Sequence, residues 1–216
     1  AQMRALHGAH DVEVIPTGYA ETVLRPADAA ARARARTALG IAPDAHVAAF
    51  VGGDWGANHE ALAFLRREVA PRLAAEGGVL LAVGGASRRL VGLREPGLVA
   101  VGEADDLGAV LAAADVGLNP MTSGGGSNVK VPTYLALGLA VITTPFGMRG
   151  YAPLASAVEV APLEGFVDAV RRRPQGWAAL GAPAPAALAD YAWGALGARL
   201  ADRFAARLAA RREGAA

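Results

Sequence analysis

The chain lacks cysteine altogether. That excludes disulfides and thiolate-bound metal, and it suits a cytoplasmic protein. Neither sign of charge prevails: 21 basic against 20 acidic residues give a net charge of +1. The broad basic face of a nucleic-acid-binding domain is missing, so no nucleic-acid partner is expected. Histidine is sparse. His7 and His10 form an isolated pair near the start, and His46 and His59 flank the first core strand, where surface or capping roles suit them. No metal site is expected from them. No apolar run reaches the roughly 20 residues of a membrane-spanning helix. The opening Ala1-Gln2-Met3-Arg4 has neither the apolar stretch of a signal peptide nor an initiator Met, so a piece of a longer chain is expected. Scarcest among the charged residues is lysine: Lys130 is the one lysine among the 21 basic side chains.

What the chain has in quantity is apolar residues, 53% of the total, enough for a real core. Short apolar or β-branched runs fall at 12–15, 47–51, 79–83, 98–101, 116–119, 140–143 and 157–160. Most lack apolar–polar alternation, as expected of strands covered on both faces. Helical patterns lie between them at 28–39, 59–75, 107–113, 129–137 and 163–172, with Pro71 inside the second as a candidate kink. Asn58 and Asp106 read as N-caps, and Gly40 and Gly138 as stops. Strand alternating with helix predicts an α/β fold: a Rossmann-like, doubly wound parallel sheet with helices on both faces and a C-terminal helix.

The organisation is read as residues 1–181 forming this domain and residues 182–216 a linker and terminal helix. The alternating Ala and Arg of 31–36 suit a solvated helix. In the terminal helix Trp193, Leu196, Leu200, Phe204 and Leu208 share one face, and Arg199, Arg203, Arg207 and Arg211 form a second stripe. The ordinary reading is packing by the apolar face with solvated arginines. The alternative is contact with an anionic lipid surface, giving peripheral membrane association of the full-length protein.

In an open parallel sheet, ligands bind at the carboxyl ends of the strands. Three glycine clusters fall there: Gly52-Gly53, Gly84-Gly85 and Gly124-Gly125-Gly126. The third opens a helical pattern, with Ser127 or Asn128 as its expected cap, Lys130 in its first turn and Pro132 where proline is tolerated. Backbone N–H groups and one compact ammonium suit a diphosphate. The order is not that of a Walker loop, because Val131 follows the lysine. Nor does Gly52-Gly53-Asp54-Trp55-Gly56 have the spacing of a dinucleotide fingerprint. Trp55 at a strand exit suits either ligand stacking or rim packing, and Asp105-Asp106 suits a cap.

Several stretches resemble one family. Val14-Ile15-Pro16-Thr17-Gly18 resembles the "V-I-P-N-G-V" opening of the C-terminal domain of family-4 glycosyltransferases, the group-1 transferases of the two-Rossmann GT-B architecture. Phe50-Val51-Gly52-Gly53 with Asn58-His59-Glu60-Ala61 resembles its first β-α unit. Ala114-Asp115-Val116-Gly117-Leu118-Asn119-Pro120 is similar to "A-D-V-x-l-x-P", and Tyr191-Ala192-Trp193 to "y-s-W". The most specific stretch runs from Gly126 to Gly150. It is similar to "G-s-n-x-K-v-l-E-y-l-A-x-G-l-P-V-i-x-T-p-x-G-x-r-G".

The resemblance implies transfer of a sugar from a nucleotide diphosphate donor with retention of configuration and no metal or other cofactor. An N-terminal domain would bind the acceptor and this C-terminal domain the nucleotide sugar. By position, Gly53, Gly124, Gly125, Gly126, Ser127, Asn128 and Lys130 would hold the diphosphate. Gly102, Glu103, Ala104 and Thr133 would face the base and ribose. No catalytic residue is identified.

Three departures stand out. Thr133 replaces the family's ribose-gripping glutamate, Gly125 replaces its partner glutamate, and Gly53 and Gly56 fall where Arg and Lys are frequent. Lys130 and Arg149 are then the basic groups left for the phosphates. The expected function is the donor-binding half of a retaining glycosyltransferase, inactive alone. The alternatives are a degenerate, non-catalytic relative serving assembly, or an unrelated nucleotide-using enzyme such as a sugar-nucleotide epimerase.

Overall fold

The computed structural model describes residues 5, 6, 8, 14–172 and 186–213. The chain enters through helix α1 (Ala29–Ala38), then strand β1 (Val47–Val51) and a long helix of three parts: α2 (Gly56–Phe64), a π turn (Leu65–Val69) and α3 (Ala70–Ala75). Next come β2 (Val79–Val83), a 3-10 turn (Gly85–Leu90), β3 (Leu98–Gly102), α4 (Leu107–Leu111), β4 (Val116–Asn119), α5 (Lys130–Ala136) and β5 (Ala140–Thr143). A 3-10 turn (Ala152–Ala157), β6 (Glu159–Val160), α6 (Leu163–Arg171), a further 3-10 turn (Ala186–Tyr191) and α7 (Trp193–Glu213) complete it.

The six strands are all parallel, in the order β3-β2-β1-β4-β5-β6. Alternate strand residues feed two cores. Val47, Ala49, Leu81, Val83 and Val141 pack with α4 and α5 on one face. Ala48, Phe50, Leu80, Ala82, Leu118 and Ile142 pack with the α2–α3 helix and α6 on the other. This two-sided burial is why the strands read as unbroken apolar runs.

Several local expectations change. Val14 and Ile15 are outside any strand, residues 12 and 13 lie outside the described residues, and the last strand shrinks to Glu159–Val160. Of the linker at 182–187, residues 182–185 lie outside the described residues and the last two open a 3-10 turn. The expected pair His7 and His10 is also outside them. The second helix begins at Gly56 rather than His59. Asn58 is therefore inside its first turn, not at its cap, and its side chain donates to the Gly53 carbonyl instead. Pro71 follows the π turn, where the Ala70 N–H reaches back five residues to Leu65. The widened turn takes up the clash that a proline ring brings to a regular helix. Asp106 caps α4 as expected, accepting from the Ala109 N–H.

Arg36 departs most from expectation: it is buried, not solvated. Its guanidinium donates to the Ala113 and Pro43 carbonyls and to Asp115. Asp115 also takes Arg32 and the first N–H of β1, from Val47. The "A-D" before β4 thus ties α1 to the amino ends of two strands.

The α7 helix packs through its beginning. Leu196 is buried, whereas Phe204 and Leu208 are 59% and 58% exposed. Glu21 accepts from the Trp193 and Gly194 N–H groups, and Tyr19 pairs with the chain at Tyr191 and Trp193.

The carboxyl ends of β1 and β4 are forced apart. Their ladder covers Ala48↔Val116 and Ala49↔Gly117 and then stops. Continued, it would pair the Val51 N–H with the Leu118 carbonyl. The Tyr134 hydroxyl sits between them, accepting from Val51 N at 2.8 Å and donating to Leu118 O at 3.4 Å. Its ring lies on Gly117, where an added Cβ would meet Tyr134 Cγ at 2.2 Å. Replacing Tyr134 by Phe leaves both strand groups unpaired in the core. Urea denaturation should show a loss of about 1–3 kcal/mol, and an unchanged midpoint would contradict the wedge.

Candidate functional site

The parting of β1 and β4 falls where the strand order reverses, the place at which doubly wound sheets open a crevice. A cleft of ≈ 640 Å³ lies there. One wall is the start of α2 with Trp55, Ala57 and Asn58; the other is the loop from Met121 through Gly124, Gly125, Ser127 and Asn128 to Lys130.

Lys130 is the first residue of α5, one turn before Tyr134. The anchored tyrosine therefore fixes where the lysine stands. Its Nζ donates to Asn58 Oδ1 at 2.8 Å, lies 3.9 Å from Met121 Sδ and sits 5.5 Å from the Phe50 ring centroid. Asn58 is itself oriented by its bond to the Gly53 carbonyl, which leaves its oxygen for the lysine. None of these partners is a carboxylate. Burial without a counter-charge pulls the lysine down to about 8 from its ordinary 10.5.

The loop is shaped by more than a cap. Neither Ser127 nor Asn128 caps α5; Val129 occupies the cap position without a side-chain bond. Ser127 Oγ instead meets Thr17 Oγ1 at 2.7 Å and accepts from the Thr17 N–H, while Tyr151 Oη bonds the Thr17 carbonyl and Ser127. The Val14–Gly18 motif is thereby the backing of the loop. Gly124 and Gly126 have φ of 113° and 69°, which glycine adopts freely. Ser123 Oγ donates to Glu60 on α2, spanning the mouth.

The expected site residues divide by place. Gly124, Gly125, Ser127, Asn128 and Lys130 share the cleft. Gly53 sits behind it, under Trp55 and Asn58. Gly126 lines the neighbouring cleft with Ile15, Arg149 and Tyr191. Gly102 ends β3, two strands away, and Glu103 and Ala104 follow it. Glu103 pairs there with Arg88 at 2.6 Å, and the Gly102 N–H donates to Ser87 Oγ. Thr133 is on α5, half-buried and outside the cleft lining. Trp55 is 75% exposed at the cleft rim, free to meet a ligand. His59 pairs with Asp54 at 2.6 Å and thereby holds that carboxyl below its usual range. Sequence reasoning missed Asn58 as the lysine's partner and Tyr134 as the wedge, because both act across elements distant in sequence.

A family profile described as glycosyl transferases group 1 matches residues 45–172, more than half of the chain. The chain belongs to the group 1 glycosyl transferases. A comparison with curated protein sequences gives no match. Among solved structures, Anabaena HepE in complex with UDP-glucose is similar to this group 1 chain at a TM-score of 0.73 and 15% identity. The match covers 90% of this chain and 57% of HepE. An α,α-trehalose 6-phosphate synthase from Burkholderia multivorans matches at 0.63 and 16%, covering 94% and 51%. WaaG, a glycosyltransferase involved in lipopolysaccharide biosynthesis, matches at 0.56 and 21%, covering 78% and 50%. At these identities the likeness is one of fold. The chain spans little more than half the length of the structures it matches. Among the described residues no helix is long and apolar enough to cross a membrane.

The lysine's burial has a pH consequence. The unfolded chain keeps this proton up to 10.5, whereas the fold releases it near 8. Between those values the unfolded state binds more protons, so stability contributed here rises with pH; below about 8 the fold carries a partly desolvated charge. The stability difference between the native chain and Lys130→Met should therefore shift in favour of the native chain from pH 8 to 10.5 in urea titrations. A difference constant over that range would contradict the assignment.

Proposed function

We propose that this chain binds a nucleotide diphosphate sugar and is the donor-binding half of a retaining glycosyltransferase of the GT-B architecture. The observation that carries the reading is Lys130: a half-buried cation with only neutral partners, at the mouth of a glycine-walled cleft on the sheet's switch point. A diphosphate supplies the missing counter-charge. It would raise the lysine's affinity for its proton, so binding above pH 8 takes up a proton. As the sugar leaves, charge builds on the same diphosphate, and a fixed ammonium with backbone amides stabilises it electrostatically, with no metal required. Gly124, Gly125, Gly126, Ser127, Asn128 and Lys130 are assigned to the diphosphate, with Gly53 supporting them through Asn58. Gly102, Glu103, Ala104 and Thr133 are assigned to the base and ribose. HepE with UDP-glucose bound supports the ligand class by analogy of fold.

Acceptor binding is assigned to a second, N-terminal domain, and a cytoplasmic location goes with the reading. The exposed Trp193, Phe204 and Leu208 face of α7 is where that domain would rest. Peripheral membrane association remains attached to the same helix through its arginines.

One observation favours a second reading, a non-catalytic relative: the cleft lining contains no carboxylate to grip a ribose or sugar hydroxyl. Calorimetric titration with UDP, GDP and their sugar conjugates separates the two. The donor reading expects one nucleotide to bind, with Lys130→Ala weakening it about 10- to 100-fold, as for loss of a charged hydrogen bond. No binding of any nucleotide would leave the non-catalytic reading.

A further inference from the structure

Arg149 stands beside the glycine loop, yet it points at backbone oxygens. Its Nη2 donates to the Gly124 carbonyl at 3.0 Å and the Gly126 carbonyl at 2.8 Å, and its Nε to Gly126 at 3.2 Å. The guanidinium also lies 4.3 Å from the Phe146 ring centroid, which fixes the plane of the fork. It lines the cleft that holds Gly126, not the one that holds Lys130. The loop is the wall between the two.

Peptide geometry turns these bonds into a statement about the other side. The chain has no cis peptide among the described residues. In a trans peptide the carbonyl of one residue and the N–H of the next point in opposite directions. With the Gly124 and Gly126 carbonyls drawn to Arg149, the Gly125 and Ser127 N–H groups face away from it; both residues line the cleft of Lys130, and Ser127 borders the Arg149 cleft as well. Neither N–H has an acceptor within the described residues. Two unused donors two positions apart, in residues that line one cleft with Lys130, make an anion-binding concavity.

Three consecutive glycines have the greatest backbone freedom to lose, so such a loop would not hold this arrangement unaided. We infer that Arg149 is a positioning residue. It clamps two carbonyls on one side of the loop so that the Gly125 and Ser127 amides are presented, with Lys130, to a diphosphate on the other. The inference rests on the donor-site reading above and gives Arg149 a role other than the phosphate contact expected from the sequence. Nη2 alone bridges the two carbonyls, while Nε adds a second grip on Gly126 and the guanidinium plane lies over Phe146; a lysine ammonium has neither the second nitrogen nor the plane that lock this geometry.

The test uses the full chain with Arg149→Ala and Arg149→Lys and two readouts. Amide hydrogen exchange needs no ligand: the Gly125 and Ser127 amides should exchange faster in both variants, with the sheet amides unchanged. Calorimetric titration with inorganic pyrophosphate should show about tenfold weaker binding by both variants, as for loss of a preorganised hydrogen-bonded site. Lysine restoring full affinity while the Gly125 and Ser127 amides still exchange fast would make residue 149 a direct charge contact and overturn the clamp. Unchanged exchange at Gly125 and Ser127 would overturn it as well. If the native chain binds neither pyrophosphate nor nucleotide, the donor-site reading fails, and the exchange data still decide the clamp.

Discussion

The hydroxyl of Tyr134 is the contact on which this site depends. Two parallel strands would otherwise continue their ladder to the end of the sheet. A tyrosine laid over Gly117 puts its oxygen where the next hydrogen bond would form, and it satisfies both strand groups. The strands part without leaving buried polar groups orphaned, which is what lets a crevice exist in the core of a sheet. The same helix carries Lys130 four residues earlier, so the wedge that opens the cleft also fixes the cation at its mouth.

The two ends of the sheet show opposite electrostatic designs. At the amino end, Arg32 and Arg36 meet Asp115, and Arg36 fills its remaining donors with carbonyls. There both guanidinium groups share a carboxylate already in place. At the carboxyl end, Lys130 has an amide oxygen, a thioether and an aromatic ring as neighbours. These neutral partners offset part of its desolvation, and none of them supplies a counter-charge. Arg149, close by, is occupied with carbonyls and contributes shape instead of charge. Composition pointed the same way: among 21 basic residues, the one compact ammonium is the one at the cleft.

The parallel sheet was legible because doubly covered strands leave continuous apolar runs, and β1, β2, β4 and β5 fall on the residues read from them. The loop and its lysine were legible because glycine and lysine are rare combinations with a chemical meaning. Bonds that join distant segments left no periodic trace. The reading of Asn58 and Ser127 as helix caps followed local propensity, but tertiary partners, Lys130 for one and Thr17 for the other, won those side chains. Alternating Ala and Arg suggested a solvated helix, because nothing in 31–36 announces that Asp115 and two carbonyls wait for Arg36. Gly117 read as an ordinary strand residue, since the ring that needs its missing side chain lies 17 positions on.

One lysine and two loop amides make the crevice between β1 and β4 an anion site in this proposal. A crystal structure of the chain grown with inorganic pyrophosphate tests it most directly. Pyrophosphate is expected within hydrogen-bond distance of Lys130 Nζ and of the Gly125 and Ser127 N–H groups, with Arg149 still on its carbonyls. Pyrophosphate held instead by Arg149 or Arg199 in the neighbouring cleft, or none in the crevice at saturating concentration, would contradict it.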